Sequence, residues 1–142
     1  MSLPLSEQVA ALGRDFAELP VSERLNLLLE FADELPDVPS RLADHPDLLE
    51  RVVECQSPVF LLVEVTDGVV YTHFTVPREA PTTRGFASIL YSLLNGRKVE
   101  EVLSASDQIP DSLSLSEAVS PLRIRGLRGM LARIKRQAAE KA

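Results

Sequence analysis

The apolar residues of the first third recur at helical spacing. Val9, Leu12 and Phe16 lie three and four apart, which predicts a helix over residues 6–19 that Gly13 weakens slightly and Pro20 stops. A stronger stripe follows, with Val21, Leu25, Leu28, Leu29, Ala32 and Leu35 on one helical face and Ser22 as the expected N-cap. Pro36-Asp37-Val38-Pro39 ends that helix, because its two prolines favour extended backbone. Residues 40–46 read as irregular, with His45 a solvated loop residue. Past residue 50 the pattern changes from a period near 3.6 to a β-forming one. Val52 and Val53 make a short β-branched run, and Val59-Phe60-Leu61-Leu62-Val63 is rich in strand formers.

Asp67-Gly68 is the two-residue turn that a type I′ hairpin uses. Pairing across it sets Thr66 opposite Val69, Val65 opposite Val70, Val63 opposite Thr72, Leu61 opposite Phe74 and Val59 opposite Val76. The last four pairs share a largely apolar face. The other face carries Phe60, Leu62, Glu64 and Thr66 against Thr75, His73, Tyr71 and Val69, so it is mixed and partly exposed. With Val52 and Val53 as a third strand, Cys55 lies in the loop joining the first two.

Pro77 ends the hairpin, and Thr82 or Thr83 is expected to cap a helix through Phe86, Ile89, Leu90, Leu93 and Leu94 that Asn95-Gly96 closes. Residues 99–103 read as a short helix, 104–110 as loop and 113–119 as a weak turn or helix. Ser120-Pro121 is a strong start signal for the last helix, whose stripe is Leu127, Met130, Leu131, Ile134 and Ala138. Each element has one face to bury. The predicted fold class is therefore α+β, with a three-stranded antiparallel sheet packed against helices from both ends of the chain, and residues 1–142 forming one domain.

A chain of 142 residues buries roughly 68 to 70% of its unfolded surface and supports a core without staples. Its single cysteine excludes an internal disulfide framework and points to the reducing cytosol. The N-terminus lacks the basic start and apolar run of a signal peptide, and no stretch approaches a membrane span, so the expected location is cytoplasmic. The net charge of −6 is unevenly spread: residues 1–50 carry −8, whereas residues 121–142 carry +6. An acidic chain without base-stacking aromatics argues against nucleic acid as a partner, and the C-terminal bases read as a solvated helix face complementing the macrodipole.

Candidate chemistry narrows to Glu54-Cys55-Gln56-Ser57-Pro58. Gln56, Ser57 and Pro58 are loop formers, placing the thiol in a turn between two β-forming runs. A lone cysteine is also the residue type that serves as a small, inert, buried hydrophobe, and the residues alone leave both readings open. A Cys55/His73 pair is conceivable, but no third residue orients the histidine. Two histidines and one cysteine, widely separated, fall short of a zinc site; no calcium loop or phosphate-binding glycine pattern is present. No cofactor and no metal is expected. A cysteine hydrolase would need a base and an oxyanion hole that the sequence does not identify. A thiol without catalytic partners suits carrying a group better than turning over a substrate.

Four stretches resemble one family in the right order. Val52-Val53-Glu54-Cys55-Gln56-Ser57-Pro58-Val59-Phe60 is similar to a Val-x-Gly-Cys-Gln-Ser-x-Val-Trp motif. Glu79-Ala80 with Thr83-Arg84-Gly85 resembles an acidic-Ala segment followed by Arg/Lys-Gly. Val119-Ser120-Pro121-Leu122-Arg123-Ile124-Arg125-Gly126-Leu127 resembles a Leu-Ser/Thr-Pro-x-Arg-x-x-Gly-Leu helix start, and Glu34-Leu35-Pro36-Asp37-Val38-Pro39 a Leu-Pro-x-Leu-Pro segment. The chain resembles the SufE sulfur acceptors. That resemblance implies a SufE/IscU-like fold and a protein that takes persulfide sulfur from a SufS-type, pyridoxal-phosphate cysteine desulfurase onto Cys55. It implies stimulation of that desulfurase and passage of the sulfur to a SufBCD-type scaffold. Gln56 and Ser57 would support the loop, while Glu79, Arg84, Arg123 and Arg125 are candidates for docking or for stabilising the persulfide anion. The alternative is a thiol-independent docking or regulatory module for a desulfurase or scaffold.

Two positions depart from the motif. Glu54 stands where it has glycine, at a cost on the order of 1 to 2 kcal/mol if the backbone there needs positive φ, and its charge should raise the thiol pKa. Phe60 stands where it has tryptophan.

Overall fold

The computed structural model describes residues 3–142; Met1 and Ser2, part of the N-terminal stretch read above for targeting, lie outside the described residues. Chain order is α1 (Leu5–Ala17), α2 (Val21–Glu34), α3 (Ser40–Ala43), a 3-10 turn (Pro46–Leu48), β1 (Glu50–Arg51), β2 (Phe60–Thr66), β3 (Val69–Thr75), α4 (Pro81–Leu94), α5 (Val99–Leu103), α6 (Ile109–Ser112) and α7 (Pro121–Lys141). The sheet is antiparallel in the order β1-β2-β3, so the architecture is α+β with a three-stranded sheet, as the hydrophobic pattern predicts.

The hairpin anchors this arrangement. Asp67 at φ 53 and Gly68 at φ 76 both adopt the left-handed backbone that a type I′ turn demands, and the register follows with Thr66 opposite Val69 through Leu61 opposite Phe74. Leu61, Val63, Val70, Thr72 and Phe74 face inward and are buried. Helix α7 packs along β2 and against α4, and α2 packs on α4. One apolar cluster runs through all of these elements, from Leu5 to Ala138.

Part of each sheet edge is covered by groups from outside the sheet. Strand β1 is two residues long, which leaves the Val63 backbone unpaired on that side. Gln137 Oε1 accepts the Val63 N–H at 2.7 Å, and Lys141 Nζ donates to the Val63 carbonyl. On the far edge Asn95 Oδ1 accepts the Thr72 N–H at 2.8 Å, while the Val70 N–H donates to the Arg97 carbonyl at 2.8 Å.

Several local expectations are corrected. The first strand is Glu50–Arg51, not Val52 and Val53. Val52 only extends the ladder, its N–H donating to the Val59 carbonyl at 2.9 Å, and Val53 is 70% exposed. Tertiary contacts override β-propensity here, because Gln137 Nε2 donates to Glu50 Oε1 at 2.9 Å and Arg136 pairs with the same carboxylate. Helix α1 stops at Ala17 rather than Leu19, and α2 starts at Val21 directly after Pro20, so Ser22 lies in the first turn and caps nothing. In α4, Pro81 occupies the first helical position after Ala80, which pushes Thr82 and Thr83 inside; Thr83 is buried. Residues 40–48 hold two short helical turns instead of irregular chain, and Ile109–Ser112 forms a further turn where loop was expected. Residues 113–119 form turns only. The start of α7 is as expected, with Ser120 Oγ accepting the Arg123 N–H at 3.4 Å.

The bases of α7 are mostly exposed, as expected for a solvated face, and four of the seven are also ion-paired. Arg128 pairs with Asp111, Lys135 with Asp107 at 2.9 Å, Arg133 with Glu50 and Glu54, and Arg136 with Glu50 and Glu140. Arg123 and Arg125, at the start of the helix, are exposed and make no ion pair among the described residues.

Candidate functional site

Residues 53–58 cross from the end of β1 to β2 and lay Cys55 against the first turns of α7. The Cys55 N–H donates to the Val52 carbonyl at 3.1 Å, closing a tight turn, and the side chain points inward with 8% exposure. Sequence reasoning left open whether the thiol is buried; it is. The close approach is made by Gly126: a Cβ built there would stand 2.9 Å from Cys55 Sγ, inside any normal contact. Glycine is needed at 126 for lack of a side chain, not for its φ.

In front of the thiol lies a cavity of about 60 Å³, lined by Glu54, Cys55, Gln56, Ser57, Thr83, Phe86, Leu122, Arg123 and Gly126. One water needs ~10–15 Å³ by a comparable measure, so an added sulfur atom fits. Larger cavities exist, about 380 Å³ beneath α1 and about 490 Å³ on the outer sheet face, but neither is lined by a thiol. Chemistry, not size, selects the site.

Burial pushes the Cys55 thiol up from its ordinary 9.0 to about 11, the neighbouring Glu54 charge adds to the rise, and Arg133 opposes it. At neutral pH that favours the neutral thiol over the thiolate. In this position the thiol is shielded from solvent. Glu54 itself carries no backbone strain, because positive φ outside glycine is confined, among the described residues, to Asp67 and Ser114. The anticipated cost of replacing glycine therefore does not arise.

The predicted site residues separate into two groups. Cys55, Gln56, Ser57 and Arg123 meet at the cavity, and Arg125 is exposed two residues further along α7. Arg84 does not join them: its Nη1 donates to the Val76 carbonyl at 2.8 Å, and it lines a separate cleft with Asp33, Asp37 and Arg78. Glu79 is exposed on the turn before α4, outside the cavity lining. His73 is not paired with Cys55. Its Nε2 lies 2.8 Å from Glu64 Oε1 on the outer face of the sheet, and no histidine lines the thiol cavity. His45 is exposed beside the 3-10 turn.

Gly129, Arg133, Thr83, Phe86 and Leu122 were not singled out as site residues from the sequence. One signal was present: Gly126 and Gly129 stand three apart inside a long helix, where each disfavours helix by ~1 kcal/mol relative to alanine. Two such glycines on one face mark a surface that another segment approaches.

The comparisons with known proteins agree with this arrangement. Residues 10–138 match the model of the SufE family, described as an Fe-S metabolism associated domain. The chain belongs to the SufE family. It is 49% identical over 138 residues to an uncharacterized SufE-like protein of Mycobacterium tuberculosis, covering 96% of this chain and 92% of that one. A SufE-like protein of Rhizobium meliloti is 31% identical over 131 residues, covering 87% of this chain and 89% of its own. The solution structure of a hypothetical protein from Thermus thermophilus superposes with a TM-score of 0.81 at 37% identity, covering 99% of this chain and 98% of that one. Membership in the SufE family ties the chain to Fe-S metabolism and sulfur transfer. Among the described residues, no helix is long and apolar enough to cross a membrane.

Proposed function

We propose that the protein accepts one sulfur atom on Cys55 from the persulfide of a SufS-type, pyridoxal-phosphate cysteine desulfurase, stimulates that enzyme by unloading it, and passes the sulfur to a SufBCD-type scaffold. The observation that carries this reading is the placement of the chain's only thiol: on a loop, over Gly126, facing a cavity of about 60 Å³. In the transfer, the Cys55 thiolate attacks the outer sulfur of the donor persulfide R–S–SH. A bond forms between Cys55 Sγ and that sulfur, the donor S–S bond breaks, and R–S⁻ leaves, giving Cys55–S–SH. No external oxidant or reductant is consumed.

Because the resting thiol is buried, transfer on this reading calls for the loop to swing outward. Val53 at 70% exposure and Leu122 at 46% flank the cavity, with Arg123 and Arg125 beside them. This apolar and cationic rim suits docking of an acidic partner face, with release of the thiol into the partner's site. Returned to its seat, the persulfide would be shielded from water by Phe86, Leu122 and Gly126, with Arg123 on the same cavity wall and Arg133 favouring an anion.

The rim would remain without the thiol, which is what the docking-module reading requires. Replacing Cys55 by serine separates the two. Under the carrier reading, stimulation of the desulfurase by Cys55→Ser falls to the unstimulated rate in a cysteine-turnover assay; stimulation that survives supports a thiol-independent module.

A further inference from the structure

Glu54 and Arg133 join the cysteine loop to α7 through a contact separate from the thiol itself. Glu54 lies across α7 at Gly129, where a Cβ would come within 2.8 Å of its carboxyl carbon and within 3.0 and 3.1 Å of its two oxygens. Cys55 sits over Gly126 in the same way. Two consecutive loop residues thus rest on two glycines one turn apart. One turn beyond, Arg133 Nη1 lies 2.8 Å from Glu54 Oε1 and donates to the Gly129 carbonyl at 3.1 Å. The guanidinium also faces β1, its Nε lying 3.3 Å from Glu50 Oε2.

Arg133 therefore bridges a strand and the cysteine loop. Glu50 is held independently by Gln137 and Arg136, so it stays when the loop leaves, and Arg133 then keeps a counter-charge. Opening the loop orphans no buried cation, which removes the largest penalty that breaking an ion pair can carry. The closed contact is also imperfect. Glu54 Oε1 and Arg133 Nε are buried without an aligned hydrogen-bond partner, so charge attraction holds them rather than a well-directed bond. Charged groups facing the loop are Glu54 on the loop itself, Glu50 on β1, and Arg123 and Arg133 on α7; the lining that α4 contributes, Thr83 and Phe86, is uncharged.

We propose that Glu54 and Arg133 form a latch that keeps the Cys55 loop seated on the Gly126/Gly129 face of α7 and yields when a partner docks. The latch takes its meaning from Cys55 as the working thiol, but its operation does not depend on sulfur transfer. Both residues are positioning residues. Glu54 thereby restrains the neighbouring cysteine, and once open it presents a carboxylate that a basic group on the partner would receive.

Hydrogen exchange of the free protein tests the latch, read as protection factors for residues 53–58 in the wild type, Glu54→Gln, Arg133→Gln, Arg133→Lys and the double Gln variant. Each Gln variant is expected to lower protection of this segment about three- to tenfold, with the rest of the chain unchanged. The double variant should be no less protected than either single one, and Arg133→Lys should restore part of the loss. Unchanged protection in Glu54→Gln, which keeps shape and leaves the Glu50 contact intact, would overturn the proposal. So would losses in the double variant that multiply. Because no desulfurase is present, neither result bears on whether Cys55 accepts sulfur, and a failed transfer would leave the exchange result standing.

Discussion

At the residue scale, two glycines and two loop side chains determine whether the thiol is stored or available. Gly126 has helical backbone and no conformational reason to be glycine; its function is to vacate the volume that Cys55 Sγ occupies. Gly126→Ala should raise helix propensity by up to ~1 kcal/mol yet evict the thiol, so stability changes little while Cys55 becomes accessible. Alkylation by iodoacetamide near neutral pH is expected to run several-fold faster than in the wild type; an unchanged rate would show that the loop accommodates the methyl without opening. Much of this was legible in the sequence. Cys-Gln-Ser between two β-forming runs located the thiol, and Ser120-Pro121 located the helix beneath it. Arg133 was not legible, because its distance from Cys55 along the chain hides that α7 lays it beside Glu54. Arg84 lies apart from the thiol for the complementary reason: proximity to a motif says nothing about direction, and its guanidinium is turned to the Val76 carbonyl.

At the element scale, α7 is more than a cover for the sheet. It seats the cysteine loop at its N-terminal end and replaces missing strand pairing at its C-terminal end, where Gln137 accepts the buried Val63 N–H. Gln137→Ala would leave that donor unsatisfied and strip a bond from Glu50, so a loss of ~1–3 kcal/mol is expected, observed as a fall in midpoint in urea with an unchanged slope. A midpoint equal to that of the wild type would mean that water or Lys141 takes over the position. The hairpin was readable to the residue because a period of two and an Asp-Gly turn fix register together. The short elements were not. Strand β1 exists through side-chain bonds to α7, and single turns such as α3 and α6 are too short to leave a periodic trace.

At the scale of the whole molecule, the acidic N-terminal part and the rest of the chain are joined by charge at several points, and one lies opposite the thiol site. Arg41 on α3 makes a bidentate pair with Glu64 on β2, at 2.7 and 2.6 Å, and His73 on β3 reaches the same carboxylate. Arg41, assisted by His73 and opposed by burial, depresses the Glu64 carboxyl to about 2. A depressed carboxylate contributes stability above its unfolded value near ~4.3 and loses it as pH falls through the folded value. The stability difference between wild type and Glu64→Gln should therefore be full at neutral pH and shrink between pH ~4.3 and 2, in thermal melts at low salt. A difference independent of pH would show that the pair contributes through packing alone.

The sulfur-acceptor reading draws these scales together, since a buried thiol, a glycine seat and a charged latch are devices for keeping one reactive sulfur atom until a partner calls for it. Intact mass spectrometry after incubation with an active SufS-type desulfurase and cysteine tests it most directly. The expected result is a gain of one sulfur atom that reductant removes and that Cys55→Ser does not show. A mass that stays unchanged while the desulfurase is stimulated would contradict it and leave docking, not carriage, as the work of this protein.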